Sequence, residues 1–239
     1  ALRKFEGEID LIHAHGLRNG VGLQALRERR KRDVPLLITP HGMHFPQLMS
    51  RGKLLKSLVS MGWDRRYQRS ATCFHVTSDL ELRHLRSAGV TQPAAGAPIG
   101  VSANADETAA PGIDDLVPGA RGRRIALFLA ILDRKKGARR LVESWGRVAP
   151  DGWQLVIAGP DLGGHRAEVE RAIESSAQRD SITLLDGVYG ADKWRLMRAA
   201  SVFVLPTEWE SFGIVVGEAL ASGVPVITTT QTPWRALPE

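Results

Sequence analysis

Apolar runs of strand length alternate with segments of helical length through the first half of the chain. Strands are expected at 9–13, 36–39, 72–77 and, more weakly, 97–101. Helices are expected at 22–31, 53–69 and 78–87. The last helix opens with Ser78 and Glu81, which have the spacing of a capping box. This alternation predicts parallel strands covered by helices.

The same alternation returns in the second half, after a segment that lacks any apolar period. That segment, 102–122, is rich in Ala, Pro, Asp and Gly and is expected to be a linker. Strands are expected at 125–129, 155–158, 182–185, 202–205 and 224–228, and helices at 138–148, 167–178, 191–199 and 213–221. The pattern predicts an α/β protein with domains at 1–101 and 123–239 and a ligand cleft between them.

The most distinctive segment runs from Leu205 to Leu220, where Glu210 and Glu218 frame a predicted helix start. Backbone N–H groups at a helix N-terminus bind anions, and carboxylates accept hydrogen bonds from sugar hydroxyls. A capping box, in which Glu210 only satisfies a backbone N–H, is the structural alternative. Gly213 disfavours it, because glycine continues a helix poorly. The segment therefore predicts a site for a ligand that carries both phosphate and hydroxyls.

Histidines stand where the first two predicted strands end. His13 and His15 close the first strand, and His41 follows the second within Thr-Pro-His-Gly. A His-x-His pair also begins several metal-dependent hydrolases. The chain has too few strand–helix units for such a barrel, so no metal is expected. His13, assigned to the strand face opposite His15, is expected to cap the strand end through a backbone hydrogen bond.

Composition narrows the class of protein. The chain has 239 residues, 43% of them apolar, and no apolar run of about 18 residues. Its single cysteine, Cys73, excludes an internal disulfide and fits a reducing cytoplasm. Because Cys73 lies in an apolar run, a buried structural thiol is expected.

The net charge of +6 and the pI near 9.9 come from basic clusters at 27–32, 65–69, 121–124 and 134–140. Solvated helix faces explain most such clusters. Attraction to an anionic membrane surface or to a charged glycan is the alternative. Nucleic acid is not expected, because no zinc-finger, helix-turn-helix or aromatic-interleaved basic motif accompanies the charge.

The segment around Glu210 and Glu218, with its downstream Ala-Ser-Gly-Val-Pro-Val-Ile and Thr-Pro-Trp, resembles the donor-sugar segment of retaining GT-B glycosyltransferases of the family-four group, the glycosyl transferases of group 1. The resemblance implies two Rossmann-like domains whose parallel sheets face a cleft, the first domain incomplete. It implies transfer of a hexose from a nucleoside-diphosphate sugar to a glycan or lipid-linked acceptor, with retention and without a metal or a cofactor. Bacterial surface polysaccharide synthesis is the implied setting.

The resemblance also implies roles for the residues around the helix start. Glu210 would contact the donor sugar as a catalytic residue, and Glu218 would contact the ribose. Ser211, Phe212 and Gly213 would form the phosphate cradle with their backbone N–H groups. The expected partners are therefore the nucleotide sugar and the acceptor.

Positive charge for the departing diphosphate is implied in the loop after the first strand of the second domain. The family's lysine matches Lys136, whereas Ile131 stands where the family has an arginine. Arg134 is the candidate substitute for that arginine. On the acceptor side, His41 would contact the reacting sugar as the second catalytic residue, and His15 would line the cleft.

The resemblance covers nearly the whole chain, but the chain does not cover the whole family. A Gly-rich acceptor loop and further C-terminal helices are not found, and Ile99 replaces the usual Asn of the Pro-Asn-Gly hinge. The chain is therefore interpreted as a fragment. A non-catalytic remnant that binds nucleotide sugar weakly or not at all is the main alternative, and a sugar-nucleotide epimerase or hydrolase is another. A cytoplasmic location is expected, with peripheral contact at the inner membrane surface left open.

Overall fold

Two compact units make up the protein, Ala1–Ile99 and Gly100–Glu239. The computed structural model describes residues 7–17, 19–44, 54–101, 112–148 and 150–236. In both units parallel strands alternate with helices along the chain, as the apolar periodicity predicts.

The first unit is a four-stranded parallel sheet with strand order β1-β2-β3-β4. Its strands are β1 (Ile12–His15), β2 (Leu36–Thr39), β3 (Cys73–Val76) and β4 (Ala94–Gly96), and its helices are α1 (Gly20–Arg32), α2 (Leu54–Arg69) and α3 (Asp79–Ser87). Asn19 caps α1 by accepting from the Gly22 N–H at 3.0 Å. Ser78 caps α3 by accepting from the Glu81 N–H at 3.2 Å, as the capping box predicts.

Three predictions for the first unit were wrong in detail. β1 begins three residues later than expected, and β4 lies before 97–101 instead of within it. Pairing with β3 runs from the Phe74 N–H, which donates to Pro93, to the Ala97 N–H, which donates to Val76. Pro98 then has no N–H to continue the pairing. Cys73 is half-buried, because strand alternation places its neighbour Phe74 in the core instead.

The second unit is a five-stranded parallel sheet with strand order β7-β6-β5-β8-β9. Its strands are β5 (Arg124–Leu129), β6 (Trp153–Ala158), β7 (Ile182–Leu185), β8 (Val202–Leu205) and β9 (Val226–Thr228), and its helices are α4 (Ala138–Val148), α5 (Arg166–Glu174), α6 (Gly190–Ala199) and α7 (Ile214–Ala221). The central strands β5 and β6 are buried over their last five residues and are apolar there except for Gln154, as expected of a parallel sheet covered on both faces. The carboxyl ends of β5 and β8, which pair with each other, carry the loops described below.

The predicted linker was wrong over 112–122. Val117 and Ala120 are buried in the second core. Arg195 of α6 donates to Asp115 and to the Gly112 carbonyl, each at 2.6 Å, and so fixes the segment to the second unit. The remainder of the predicted linker, 102–111, lies outside the described residues.

Two helices of the second unit differ from their predicted bounds. α5 ends at Glu174, four residues early, and a short 3-10 turn, Arg179–Ser181, precedes β7. α7 begins at Ile214, one residue after the predicted start at 213, and Glu218 lies about one turn inside the helix. Among the parts of the chain that the structure describes, no helix combines the length and apolar character needed to cross a membrane.

Candidate functional site

The loop after β8 is held firmly by its neighbours. Thr207 is fully buried. Its hydroxyl oxygen lies 3.0 Å from the Trp209 carbonyl oxygen and 3.2 Å from the Lys135 carbonyl oxygen, and either carbonyl can accept its hydrogen. The Glu208 N–H donates to Lys135 at 2.7 Å, and the Glu210 N–H donates to Gln231 at 3.1 Å. The loop between β8 and α7 therefore has a fixed position relative to the loop after β5.

Lys136 and Glu210 form an ion pair across these two loops. Both side chains are largely buried, and the Thr207 hydroxyl lies 3.3 Å from the same Glu210 carboxylate oxygen. Glu210 thus faces a cation instead of the Thr207 N–H that a capping box would require. The structure brings together the two residues that the sequence assigned to the donor sugar and the diphosphate.

Gly137 makes the position of Lys136 possible. It adopts φ 82°, a left-handed conformation that glycine tolerates, and a Cβ there would collide with the Pro206 carbonyl oxygen. The Asp133 carboxylate caps the turn before it by accepting from the Lys135 N–H at 2.9 Å. The tight turn places Lys136 against the β8 loop.

The N-terminus of α7 has no side-chain cap. Gly213 precedes the helix with φ 77°, and the first turn contains no acidic residue. Trp234 donates from its indole nitrogen to the Phe212 carbonyl at 2.5 Å, and the two rings lie 5.2 Å apart. The first N–H groups of a helix have no acceptor within the helix, so this terminus can receive an anion. Ser211, the third residue predicted for the phosphate cradle, is half-buried in the same loop.

Glu218 is paired with a residue that the sequence did not single out. Lys193 of α6 contacts its carboxylate at 2.6 Å, and the two side chains are 24% and 13% exposed. The Lys193 ammonium also lies 4.8 Å from the centre of the Trp194 ring. Nothing in the spacing of α6 marks Lys193, because its partner lies 25 residues away in α7.

Arg134 does not lie where a substitute for the missing arginine would be needed. It is 76% exposed and pairs with Glu168 of α5. Ile131 is 41% exposed and contributes no charge. Lys135 instead lies near the site, with its ammonium 4.3 Å from the centre of the Trp209 ring. Burial first, and then the charge of Lys136, lower the pKa of Lys135 below its usual value.

In the first unit, His13 and His15 lie on the same face of β1, and the assignment of His13 to the opposite face was wrong. Residues two apart in a strand share a face, and the two rings are centred 4.3 Å apart. His13 also bonds a side chain instead of the backbone, since its Nε2 lies 2.7 Å from the Thr39 hydroxyl oxygen.

His41 is exposed and has φ 52°. Its Nε2 lies 2.9 Å from Nδ1 of His15, and the rings stack at 5.1 Å. The next residue, Gly42, donates its N–H to the Glu81 carboxylate at 2.6 Å, and Glu81 is only 1% exposed. Burial and then His15 lower the pKa of His41, while Glu81 opposes the shift.

No group of three or more His, Cys, Asp or Glu side chains within 7–17, 19–44, 54–101, 112–148 and 150–236 has an arrangement that could hold a metal ion. The imidazoles of His13, His15, His41 and His75 are instead joined to one another and to neutral partners.

Two family models match the chain. One, described as a glycosyl transferase 4-like domain, matches residues 1–97, and the other, described as glycosyl transferases group 1, matches residues 118–235. Together they include nearly all of both units.

Curated relatives include a D-inositol 3-phosphate glycosyltransferase of Arthrobacter sp. (strain FB24). It is 30% identical over 251 residues, an alignment that covers 95% of this chain and 56% of the relative. An alpha-maltose-1-phosphate synthase of Mycolicibacterium smegmatis is 34% identical over 128 residues, covering 51% of this chain and 33% of the relative. The chain thus spans little more than half the length of the relatives that match it throughout.

Solved structures share the fold. Sucrose-phosphate synthase from Thermosynechococcus elongatus superposes with a TM-score of 0.77 at 24% identity, covering 95% of this chain and 57% of that one. Anabaena HepE in complex with UDP and glucose superposes with a TM-score of 0.80 at 20% identity, covering 96% of this chain and 61% of that one.

Proposed function

Because the chain belongs to the glycosyl transferases of group 1 and has their GT-B fold, we propose that it serves the transfer of a hexose from a nucleoside-diphosphate sugar to a glycan or lipid-linked acceptor. The transfer proposed retains the anomeric configuration and needs no metal or cofactor. One observation carries the proposal: the Lys136–Glu210 pair lies in the loops beside the uncapped start of α7.

The donor is proposed to bind by exchanging partners with the ion pairs of the second unit. A diphosphate takes Lys136 as its cation, and Glu210 is then free to accept a hydrogen bond from a hydroxyl of the donor sugar. Lys193 and Glu218 offer the same exchange to the ribose hydroxyls. The N–H groups at Phe212 and Gly213 add a cradle for phosphate. Each broken ion pair is replaced by a charge-assisted hydrogen bond, so binding need not leave a buried charge without a partner.

The chemistry of the relatives agrees with a sugar-nucleotide donor. The names of the two curated relatives above describe a glycosyltransferase and a sugar-phosphate synthase, and HepE was solved with UDP and glucose. A further relative, 32% identical over 100 residues, is a lipopolysaccharide core mannosyltransferase of Rhizobium meliloti. These names support a role in bacterial surface polysaccharide synthesis.

The first unit is proposed to serve the acceptor, with His15 and His41 among its contacts. Both imidazoles are exposed at the carboxyl-terminal edge of the first sheet, where ligands of parallel sheets bind. Work at the cytoplasmic face of a membrane is part of the proposal, and the basic last turn of α1 would favour anionic lipid.

Titration with UDP- and GDP-linked hexoses tests the donor proposal. Thermal stabilisation together with release of free nucleotide supports an enzyme, and NMR of the transferred anomeric carbon reports retention. Stabilisation without release supports the non-catalytic remnant, and release without an acceptor supports a hydrolase. The absence of any response to either nucleotide would sink the proposal. Glu210→Gln should abolish release, and unchanged rates with excess EDTA are expected.

A further inference from the structure

A chain of hydrogen bonds crosses the first sheet from one edge strand to the other. Nε2 of His13 lies 2.7 Å from the Thr39 hydroxyl oxygen, which lies 2.9 Å from Nδ1 of His75. Nε2 of His75 lies 2.8 Å from the Ala97 carbonyl oxygen. These groups, called the histidine bridge below, come from β1, β2, β3 and the residue after β4.

When both imidazoles are neutral, only one arrangement of donors and acceptors along the histidine bridge is possible. A carbonyl oxygen can only accept, so Nε2 of His75 must carry its hydrogen. A neutral imidazole has one donor and one acceptor, so Nδ1 of His75 accepts from the Thr39 hydroxyl. The Thr39 oxygen then accepts from Nε2 of His13, and Nδ1 of His13 is left with a lone pair.

Neighbouring groups keep His13 neutral. Its pKa is lowered first by burial and then by the like charges that His15, His75 and His41 would carry. No carboxylate or other cation among the described residues contributes to this shift. The acceptor form of His13 therefore persists to a lower pH than in an ordinary imidazole.

The outward nitrogen of His13 is available to a ligand. The His13 side chain is exposed on the β1 face that also carries His15, and Nδ1 has no hydrogen-bond partner within the described residues. Thr39, by contrast, is fully buried. The histidine bridge thus connects a buried, fixed hydroxyl to an exposed acceptor atom.

We propose that Thr39 and His75 are positioning residues that hold His13 in the tautomer whose Nδ1 accepts a hydrogen bond from a ligand hydroxyl. The ligand class is a neutral polyol or sugar, because a lone pair on nitrogen repels a phosphate oxygen and attracts an O–H group. Identification of that hydroxyl as the one on the glycosyl acceptor rests on the proposed function. The assignment of the His13 tautomer does not depend on the proposed function.

Ring-nitrogen NMR of the ligand-free, 15N-histidine-labelled protein tests the tautomer directly. Above the titration range of histidine, His13 is expected to show protonated Nε2 and unprotonated Nδ1. Thr39→Val, which keeps the shape of a buried side chain, should convert His13 to a mixture of tautomers, whereas Thr39→Ser should preserve one. Thr72→Val is the matched control, since the Thr72 hydroxyl accepts from the Leu36 N–H at 3.1 Å in the same sheet, outside the histidine bridge.

A purely structural role for the histidine bridge predicts different results. If Thr39→Val leaves the tautomer of His13 unchanged, or if His13 of the unaltered protein has protonated Nδ1, the proposal is wrong. His75→Phe provides a second test that leaves Thr39 itself in place, because it removes the acceptor that orients the Thr39 hydroxyl. It should give the same mixture of tautomers.

Ligand binding separates this proposal from the proposed function. Thr39→Val should weaken binding of a polyol acceptor such as inositol about tenfold. Thermal stabilisation by the nucleotide sugar, which reports donor binding by the second unit, should stay as it is in the unaltered protein. A weakening equal to that of Thr72→Val would overturn the contact between His13 and the hydroxyl. Failure of the proposed function would instead appear as no response to any nucleotide sugar, with the tautomer result intact.

Discussion

The two sheets end in opposite chemistry. At the edge of the first unit, imidazoles are joined to a threonine and to one another by hydrogen bonds that suit neutral rings. At the edge of the second unit, Lys136 and Lys193 are each paired with a glutamate. His165 is the single histidine of the second unit.

The contrast indicates how each edge can respond to a ligand. An ion pair can exchange both partners at once, its cation for phosphate and its carboxylate for hydroxyls. A neutral hydrogen-bond network fixes donor and acceptor positions without a net charge and suits an uncharged hydroxyl. The proposed binding of a charged donor by the second unit and of an uncharged acceptor by the first agrees with the chemistry of each edge.

The largest expected effect concerns the close approach of two strand ends in the second unit. Gly159 follows β6, and a Cβ there would overlap the Ala130 carbonyl at the end of β5. Gly159→Ala must push the two strand ends apart, which should lower the free energy of unfolding of the second unit by about 3 kcal/mol. Urea denaturation followed by amide signals of each unit measures it.

Gly163→Ala is the control for that change. Gly163 lies in the next loop, and an added Cβ would meet no atom within 4 Å. It should change stability by less than about 1 kcal/mol. Equal losses for the two variants would contradict the close approach of the strand ends.

A smaller loss of stability is expected when the buried carboxylate of Glu81 is removed from the first unit. Glu81 accepts from the N–H groups of Gly42 at 2.6 Å and Thr77 at 2.8 Å. Glu81→Ala leaves these buried donors unpaired and should cost about 2–3 kcal/mol in the first unit. Because Glu81 raises the pKa of His41, its loss should also lower that pKa, as NMR titration would show.

Glu28→Ala separates a general effect of carboxylate removal from this specific one. Glu28 is also buried in the first unit, but its partner is Arg32, one turn along the same helix. Such a pair contributes about 0.5 kcal/mol. If Glu28→Ala lowers the free energy of unfolding of the first unit as much as Glu81→Ala, the loss reflects removal of any buried carboxylate and Glu81 has no specific role.

Local patterns predicted much of this molecule. The apolar periods identified most strands and helices, and the Glu210–Glu218 segment identified the helix start. The spacing of apolar residues depends only on residues close in sequence, so it can be recognised without knowledge of the fold. The resemblance to the family implied Lys136 as a site residue, and its role at the diphosphate stays a prediction.

Packing between distant segments was not predictable in the same way. Lys193 meets Glu218 across 25 residues of sequence, and Arg134 meets Glu168 across 34. The linker prediction was wrong at Val117 for the same reason. Val117 and Ala120 are buried, but two apolar residues in a segment rich in Pro and Gly form no periodic pattern. Partners across 25 or more residues need the tertiary structure.

Ile131→Arg sharpens the charge side of the comparison. Because Ile131 is 41% exposed, an arginine can be placed there without displacing core atoms. A further cation near the proposed diphosphate site should tighten nucleoside-diphosphate binding by about 1.5 kcal/mol, or tenfold, in a calorimetric titration. Leu162→Arg, on a neighbouring loop and 75% exposed, adds the same charge and serves as the control. Equal gains would show that only net charge matters.

The smallest effect is the pH dependence of the two units. His13, His41 and His84 all have lowered pKa values, in each case first through burial, and all lie in the first unit. Unfolding restores a pKa near 6.5, so the unfolded state binds more protons as the pH falls through about 6.5. The first unit should therefore have its full stability above that pH and lose some of it between pH 7 and 5. Over this window the second unit should stay level, because its Asp161 and Glu168 carboxylates have pKa values lowered from ordinary values of 3.8 and 4.5, which already lie below the window. Urea midpoints read from the amides of Phe74 and Phe128 compare the units. His41→Asn should flatten only the first curve, whereas parallel slopes for both units would refute the assignment of pH sensitivity to the histidine edge.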